Sequence, residues 1–386
     1  MQQIYLDHNA TTPIRPEVVE AMLPCFTGTF GNPSSVHWAG RQAKQALETA
    51  RDRVATLIGA KSSEILFTSG GTESNNLAVH GVLKPRGANP ARIVTTPIEH
   101  SSVLETVKAL GADGAPVDIA TLTVDSQGRI SPGELEAALT PDTVLVSIGL
   151  ANHEIGTLQP IRELSPTIRE RAIPFHVDAV QAVGKIPVDV NQLGVDILSL
   201  SAHKIYGPKG IGALYVRQGT ALSPVFRGGP QEREKRPGTE NVAAAVGFGC
   251  AAQLCAQDIE TTHPRLIHLI ARLWDGIQRH IPDVARYTPT QACLPNTLNV
   301  GFAGASGEGL MMGLDLAGIA VSTGSACAAG SVEPSHVLLA VGCDEAGAKS
   351  AIRFSAGRDT TEEDIEAVTH VLPGIVERVR KAGRSG

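Results

Sequence analysis

Ile197-Leu198-Ser199-Leu200-Ser201-Ala202-His203-Lys204-Ile205-Tyr206-Gly207-Pro208 places a lysine just past a short apolar run, with turn residues behind it. The run reads as a strand covered on both faces. A lysine at such a strand end is unusual, because a buried ammonium is costly. The benefit is chemical: desolvation or a neighbouring cation lowers the amine's pKa and frees it to attack a carbonyl. The competing reading is a structural lysine whose stem lies on the core while its head reaches water.

Working outward, similar runs recur on both sides: Ile65-Leu66-Phe67, Ile93-Val94, Val144-Leu145-Val146-Ser147-Ile148, Phe175-His176-Val177 and Gly212-Ala213-Leu214-Tyr215-Val216. Helical or irregular stretches separate most of them. From Ala43, apolar positions at Ala46, Leu47, Ala50, Val54, Leu57 and Ile58 mark one face of a helix, stopped by Gly59. This rhythm predicts an α/β domain with a mainly parallel sheet covered on both faces, and such sheets bind ligands beyond the carboxyl ends of their strands. After about residue 255 the pattern changes. A helical stretch carries Leu266, Leu269, Ile270, Leu273 and Ile277, and strand-like pieces follow at 297–300, 319–322 and 351–354. A last helix begins near Thr360, with Glu363 completing a capping box, and carries Ile365, Val368, Leu372, Ile375 and Val379. These features predict a smaller α+β domain. The expected division is 13–258 for the large domain, with 1–12 and 259–386 forming the small one.

Composition sets the bounds. At 386 residues, 42% apolar and 19% charged, the chain is too apolar for whole-chain disorder. A net charge of −6 excludes a basic protein built to coat nucleic acid, so no direct nucleic-acid binding is expected. Six cysteines, at 25, 250, 255, 293, 327 and 343, show no C-x-x-C pair and make no disulfide framework. No metal site is expected. No uninterrupted apolar run is long enough to span a membrane, and Met1-Gln2-Gln3-Ile4 opens no signal peptide. The expected setting is a reducing cytoplasm.

Two further stretches bear on chemistry. Ser69-Gly70-Gly71-Thr72-Glu73-Ser74-Asn75-Asn76 follows a strand and opens a helix, which suits a phosphate cradle of backbone N–H groups. An ordinary strand-to-helix turn is the alternative. It is neither a Walker A loop nor a spaced dinucleotide fingerprint. In Phe175-His176-Val177-Asp178-Ala179-Val180-Gln181, an acid at a strand end is followed three residues on by an amide. These groups suit a cationic nitrogen and a phenolic oxygen, although an Asp in this position also caps helices. Cradle, Asp and Lys in that order, each at a strand end, are the equipment for pyridoxal phosphate.

With these stretches together, the sequence resembles the cysteine desulfurases, in the class V aminotransferase group of fold-type I pyridoxal-phosphate enzymes. The matching stretches include Tyr5-Leu6-Asp7-His8-Asn9-Ala10-Thr11-Thr12-Pro13, Phe30-Gly31-Asn32-Pro33-Ser34-Ser35, Glu99-His100 and Gly238-Thr239-Glu240-Asn241. The resemblance implies a large domain with a seven-stranded, mainly parallel sheet, and it implies roles. Lys204 would hold pyridoxal 5′-phosphate covalently. His100 would stack on the ring and move protons. Asp178 would pair with the pyridine nitrogen and Gln181 would contact the ring hydroxyl. Gly71, Thr72, Ser201 and His203 would bind phosphate, with Thr239 reaching across from a second subunit, so a homodimer is expected.

Ser322-Thr323-Gly324-Ser325-Ala326-Cys327-Ala328-Ala329-Gly330-Ser331 surrounds one cysteine with small residues, a composition that predicts a mobile segment. Cys250 and Cys255, on an apolar helix, are expected to be buried and inert. Ser-Gly-Ser-Ala-Cys resembles the group I (NifS/IscS-like) members, which carry a long cysteine loop. The implied activity is removal of sulfur from L-cysteine, giving L-alanine and a Cys327 persulfide passed to an acceptor protein. Iron–sulfur assembly, transfer-RNA thiolation and DNA phosphorothioation all draw on this family. Selenocysteine lyase, another class V enzyme and a non-enzymatic docking subunit are the alternatives. Arg353, on a strand between Ile352 and Phe354, faces away from them, and the resemblance assigns it the substrate carboxylate.

Two departures from the family pattern stand out. The usual Asn-Asn-Glu reads Asn152-His153-Glu154, so the cofactor and substrate contact falls on His153 or passes to Asn152. In Arg227-Gly228-Gly229-Pro230-Gln231-Glu232-Arg233, Pro230 stands where Gly or His is usual and restricts the loop.

Overall fold

The computed structural model describes residues 3–83, 91–112, 117–323 and 333–384. Cys327 lies outside the described residues.

Seven strands form the main sheet, in the order Ile65–Thr68, Gly212–Val216, Ile197–Ser201, Phe175–Asp178, Thr143–Gly149, Ala91–Thr95 and Val117–Thr121. The last five pair in parallel, while Gly212–Val216 runs antiparallel to both its neighbours. The edge strand Val117–Thr121 escaped the sequence reading because it is half-exposed and not an apolar run. Alternation along Ile197–Ser201 sends Leu198 and Leu200 into one core and Ile197 into the other. Each fully buried leucine contributes about 1.5–3 kcal/mol. His176 sits inside this sheet, with its two ring nitrogens on Ser147 Oγ (2.8 Å) and Ser199 Oγ (3.0 Å) of the flanking strands. Burial lowers its pKa to about 4, so it is neutral at pH 7.

The helix read from Ala43 runs Trp38–Leu57. Beside it lies Val242–His280, a 39-residue helix that serves two cores. Ala244, Phe248, Ala251 and Cys255 pack on the main-sheet core, whereas Leu266, Leu269, Leu273 and Ile277 pack with the C-terminal strands. By length and composition alone this helix is apolar enough to cross a membrane. Its buried apolar residues divide between the two cores, while Ile267 stays exposed.

The second core holds a three-stranded antiparallel sheet, Ala351–Ser355, Thr297–Phe302 and Val284–Arg286, covered by the final helix Glu362–Arg384. Ile319–Ala320 lies apart from it and pairs in parallel with Ile4–Tyr5, which brings the N-terminal segment into this core. The helix cap differs from expectation by one residue. Thr361 and Asp364 exchange side-chain-to-backbone bonds (3.2 and 3.0 Å), because the Thr360 hydroxyl already accepts the Gly357 N–H (2.9 Å).

Candidate active site

A cavity of about 330 Å³ lies beyond the carboxyl ends of Thr143–Gly149, Phe175–Asp178 and Ile197–Ser201. Its wall brings together Gly71, Thr72, His100, Asn152, His153, Asp178, Gln181, Ser201, His203 and Lys204. These residues span more than 130 positions of sequence. Strand ends in one parallel sheet meet on one side, which is why they converge.

Lys204 follows Ser201 on a single 3₁₀ turn, Ala202–Lys204. Its Nζ donates to the Asn9 carbonyl and to the Ala10 carbonyl (2.8 Å). The segment after Ile4–Tyr5 therefore straps across the cavity floor. Asp178 ends its strand with both oxygens engaged: Oδ1 accepts the Val180 N–H (2.9 Å) and Oδ2 accepts Asn75 Nδ2 (2.7 Å). Asn75 lies in the quoted cradle stretch, but nothing in the sequence marked it as the partner that holds the acid. It also donates to Ser102 Oγ (2.8 Å), which ties cradle, acid and His100 together.

His100 accepts the Ser102 N–H at Nδ1 (3.1 Å), so the neutral ring carries its proton on Nε2. Burial lowers its pKa; the Asp178 charge opposes this, and Lys204 and His336 add to it. His153 meets it edge-on, with ring centroids 5.2 Å apart, and burial also holds His153 well below the usual histidine range. The neighbouring Glu99 is pushed up to about 7 by burial, with Oε1 accepting Thr96 Oγ1 (2.6 Å) and the Gly149 N–H (3.0 Å).

Gly71 opens the helix Gly71–Leu83, and a Cβ there would come within 2.8 Å of Val180 Cγ2. The Ser201 hydroxyl is buried with no hydrogen-bond partner among the described residues. His203 accepts or donates at Nδ1 to Thr11 Oγ1 (3.1 Å), and burial with the lysines around it lowers its pKa to about 4. Helix N-terminus, orphan hydroxyl and neutral imidazole together form a site for an anion.

Three candidates sit differently. The Asn152 side chain is spent on its own turn, accepting the Glu154 and Ile155 N–H groups (2.9 Å each) and donating to the Ile98 carbonyl (2.9 Å). Arg353 is buried, with its guanidinium on Asp7 Oδ1 (2.7 Å) and the His153 carbonyl (3.0 Å) and its Nε without a partner among the described residues. Thr239 is exposed and does not line the cavity of its own chain. Cys255 is buried, with its thiol pushed up to about 12, and Cys250 is half-buried.

A lysine, an acid and an anion cradle at the strand ends of one α/β sheet define an enzyme of the aminotransferase type. The Aminotransferase class-V pattern matches residues 4–368, and the chain belongs to that family. It is 48% identical over 98% of its length to "Cysteine desulfurase IscS" of Dictyoglomus turgidum, of which 96% is covered. Among solved structures, a "NIFS-like protein" superposes with a TM-score of 0.92 at 37% identity, covering 98% of this chain and all of that one. "SspA in complex with cysteine" superposes at 0.81 with 36% identity, covering 92% of this chain and 98% of that one.

Proposed function

We propose that the chain is an L-cysteine desulfurase that uses pyridoxal 5′-phosphate and carries the extracted sulfur on Cys327. The observation that carries this reading is the convergence of Lys204, Asp178 and the orphan Ser201 hydroxyl on one cavity. The names of the relatives support the reaction, and the solved complex of a related protein with cysteine supports the substrate.

The donor set fits the cofactor's three handles: an amine for the aldehyde, a carboxylate for the pyridine nitrogen, and a cradle for the phosphate. When bound, the cofactor supplies an aldehyde for the substrate amine and a ring that withdraws electrons from its α-carbon. Lys204 would hold the aldehyde, and its Nζ would be the group to take the substrate's α-proton. Asp178, fixed by Asn75 and the Val180 N–H, would offer its carboxylate to the pyridine nitrogen. His100, which lines the same cavity, would stand against the ring and exchange a proton at Nε2. Ser201, His203, Gly71 and Thr72 would take the phosphate. Arg353 would take the substrate carboxylate when Asp7 yields its place on the guanidinium.

Cys327 then attacks the substrate sulfur as a thiolate. The carbon–sulfur bond breaks, a sulfur–sulfur bond forms on Cys327, and the electron pair left on carbon takes a proton to give alanine. An acceptor protein removes the sulfur. A homodimer completes the phosphate site through Thr239. Leu23, Phe26, Phe30, Val36 and Trp38 are all exposed, with the Phe30 and Trp38 rings edge-to-face at 6.5 Å, and this apolar surface supports a further chain covering it.

The purified protein, loaded with pyridoxal phosphate, is expected to release alanine and sulfide in equal amounts from L-cysteine under a reductant. Turnover of selenocysteine but not cysteine would overturn the substrate assignment, and no turnover of either would overturn the reaction.

A further inference from the structure

A second lysine stands behind the first and takes no part in the chemistry above. Lys185 is 7% exposed, and its Nζ donates to Asn9 Oδ1 (2.9 Å) and Gln181 Oε1 (2.5 Å). Both acceptors are amide oxygens; among the described residues it has no carboxylate partner. Gly184 turns the chain so that Lys185 points inward. Its φ is +80°, and a Cβ would come within 2.5 Å of Cys255 Sγ. Burial and the charges of Lys204 and Arg353 push the Lys185 amine well below the ordinary lysine range. His8 and His203 also face it, each lowered to about 4. A buried amine among cations destabilises the fold, so what it supplies is orientation.

Asn9 and Gln181 show which orientation. Asn9 donates through Nδ2 to Thr297 Oγ1 (2.8 Å) and through its backbone N–H to Ser355 Oγ (2.9 Å), while its carbonyl accepts Gln181 Nε2 (2.8 Å) and Lys204 Nζ. One residue of the N-terminal strap thus joins both cores and the catalytic amine. Gln181 has a donor end and an acceptor end. With Lys185 donating to it, Oε1 must face Lys185. One N–H of Nε2 goes to the Asn9 carbonyl, and the other is left for the cavity that Gln181 lines.

We propose that Lys185 is a positioning residue: it fixes the Gln181 amide with an N–H, not a carbonyl, toward the ring oxygen of the bound cofactor, and it pins the strap on which Lys204 rests. This rests on the pyridoxal-phosphate reading above. A donor facing that oxygen favours its anionic form, whereas a carbonyl there disfavours it. Without Lys185, the Asn9 carbonyl is the one group left, among the described residues, to set the direction of the amide.

The test uses full-length protein stripped of cofactor and titrated with pyridoxal phosphate. Wild type is expected to develop a saturable visible band; absence of any band would overturn the cofactor reading and this proposal with it. Lys185→Met keeps the stem and removes the donors. It is expected to weaken the cofactor dissociation constant by about tenfold or more, in line with losing an outer partner of a bound group. It is also expected to move the pH midpoint of the visible band upward. A wild-type dissociation constant and midpoint in this variant overturn the proposal, even if melting temperature or turnover falls. Lys185→Gln guards against failure to fold. Its stem is one bond shorter and cannot reach both oxygens, so a smaller shift in the same direction is expected, and wild-type values overturn the proposal.

Discussion

Arg51 and Glu232, 181 positions apart in sequence, form a bidentate ion pair at 2.7 and 2.8 Å with 4% and 2% of their side chains exposed. Glu232 also accepts the Phe67 N–H (2.9 Å), and the guanidinium lies over the Phe67 ring. The pair holds down a strained segment: Glu232, Arg233 and Glu234 all have positive φ, between 45° and 63°. That segment follows Pro230 and leads to Thr239.

Glu232→Ala would leave the buried guanidinium with only the half-exposed Glu48 carboxylate at 3.3 Å and the Ile65 carbonyl at 3.0 Å, and is expected to cost up to about 3–5 kcal/mol of stability. Replacing both partners with apolar residues, Arg51→Met with Glu232→Leu, is expected to cost less than the single change. Denaturant unfolding at one fixed protein concentration measures both. A loss below about 1 kcal/mol for Glu232→Ala would mean that water reaches the pair.

Stability is expected to fall as pH drops from about 6.5 to 4. His8 and His176 each have a folded pKa of about 4 against an ordinary value of 6.5, with burial the main cause. Between those values the unfolded chain binds more protons than the folded one, so unfolding free energy rises with pH, by about 1.4 kcal/mol per unit for each such group. Glu99 works in the opposite sense. Its raised pKa, about 7, contributes stability that is present below 4.5 and lost as pH rises through 7. Urea midpoints measured at pH 4.5, 5.5 and 6.5 check the net slope. His176→Asn is expected to flatten it, and an unchanged slope would show that His176 titrates normally in the folded chain.

The strand rhythm and the three strand-end groups were legible because a buried parallel strand must be apolar and its end is where a polar group is next allowed. Lys204 and Asp178 stood out for that reason. Asn75 and Lys185 did not, although each holds a site residue. Asn75 sits on a helix, where an amide carries no periodic signal, and its partner Asp178 is 103 positions away. Lys185 follows Gly184 in a short turn that reads as an exposed loop. The strands Val117–Thr121 and Val284–Arg286 were missed because edge positions need few apolar residues.

Lys204→Ala is expected to lose the visible band that wild type develops with pyridoxal phosphate. Borohydride reduction of loaded wild type followed by peptide mapping should place the adduct on Lys204. Lys185 is the sharper control, since it is the other lysine, among the described residues, that donates to the strap. An adduct there would exchange the roles of the two.

Replacing Cys327 tests whether sulfur extraction can be separated from cofactor chemistry. Cys327 is remote in sequence from Lys204, so replacing it is expected to leave cofactor binding intact. Cys327→Ser keeps the size of the side chain, but a hydroxyl has a far higher pKa than a thiol and is a poor nucleophile toward sulfur at neutral pH. The variant should still bind L-cysteine, read as a shift of the visible band, yet release almost no sulfide or alanine under a reductant. Wild type treated with cysteine should gain one sulfur atom on the peptide that contains Cys327. Wild-type turnover in Cys327→Ser would sink the mechanism, and so would a persulfide mapped to Cys293 or Cys343. Added thiols attack activated sulfur directly and would raise the residual rate. A phosphine reductant with no thiol present removes that route, and the rate that survives there is the one that decides.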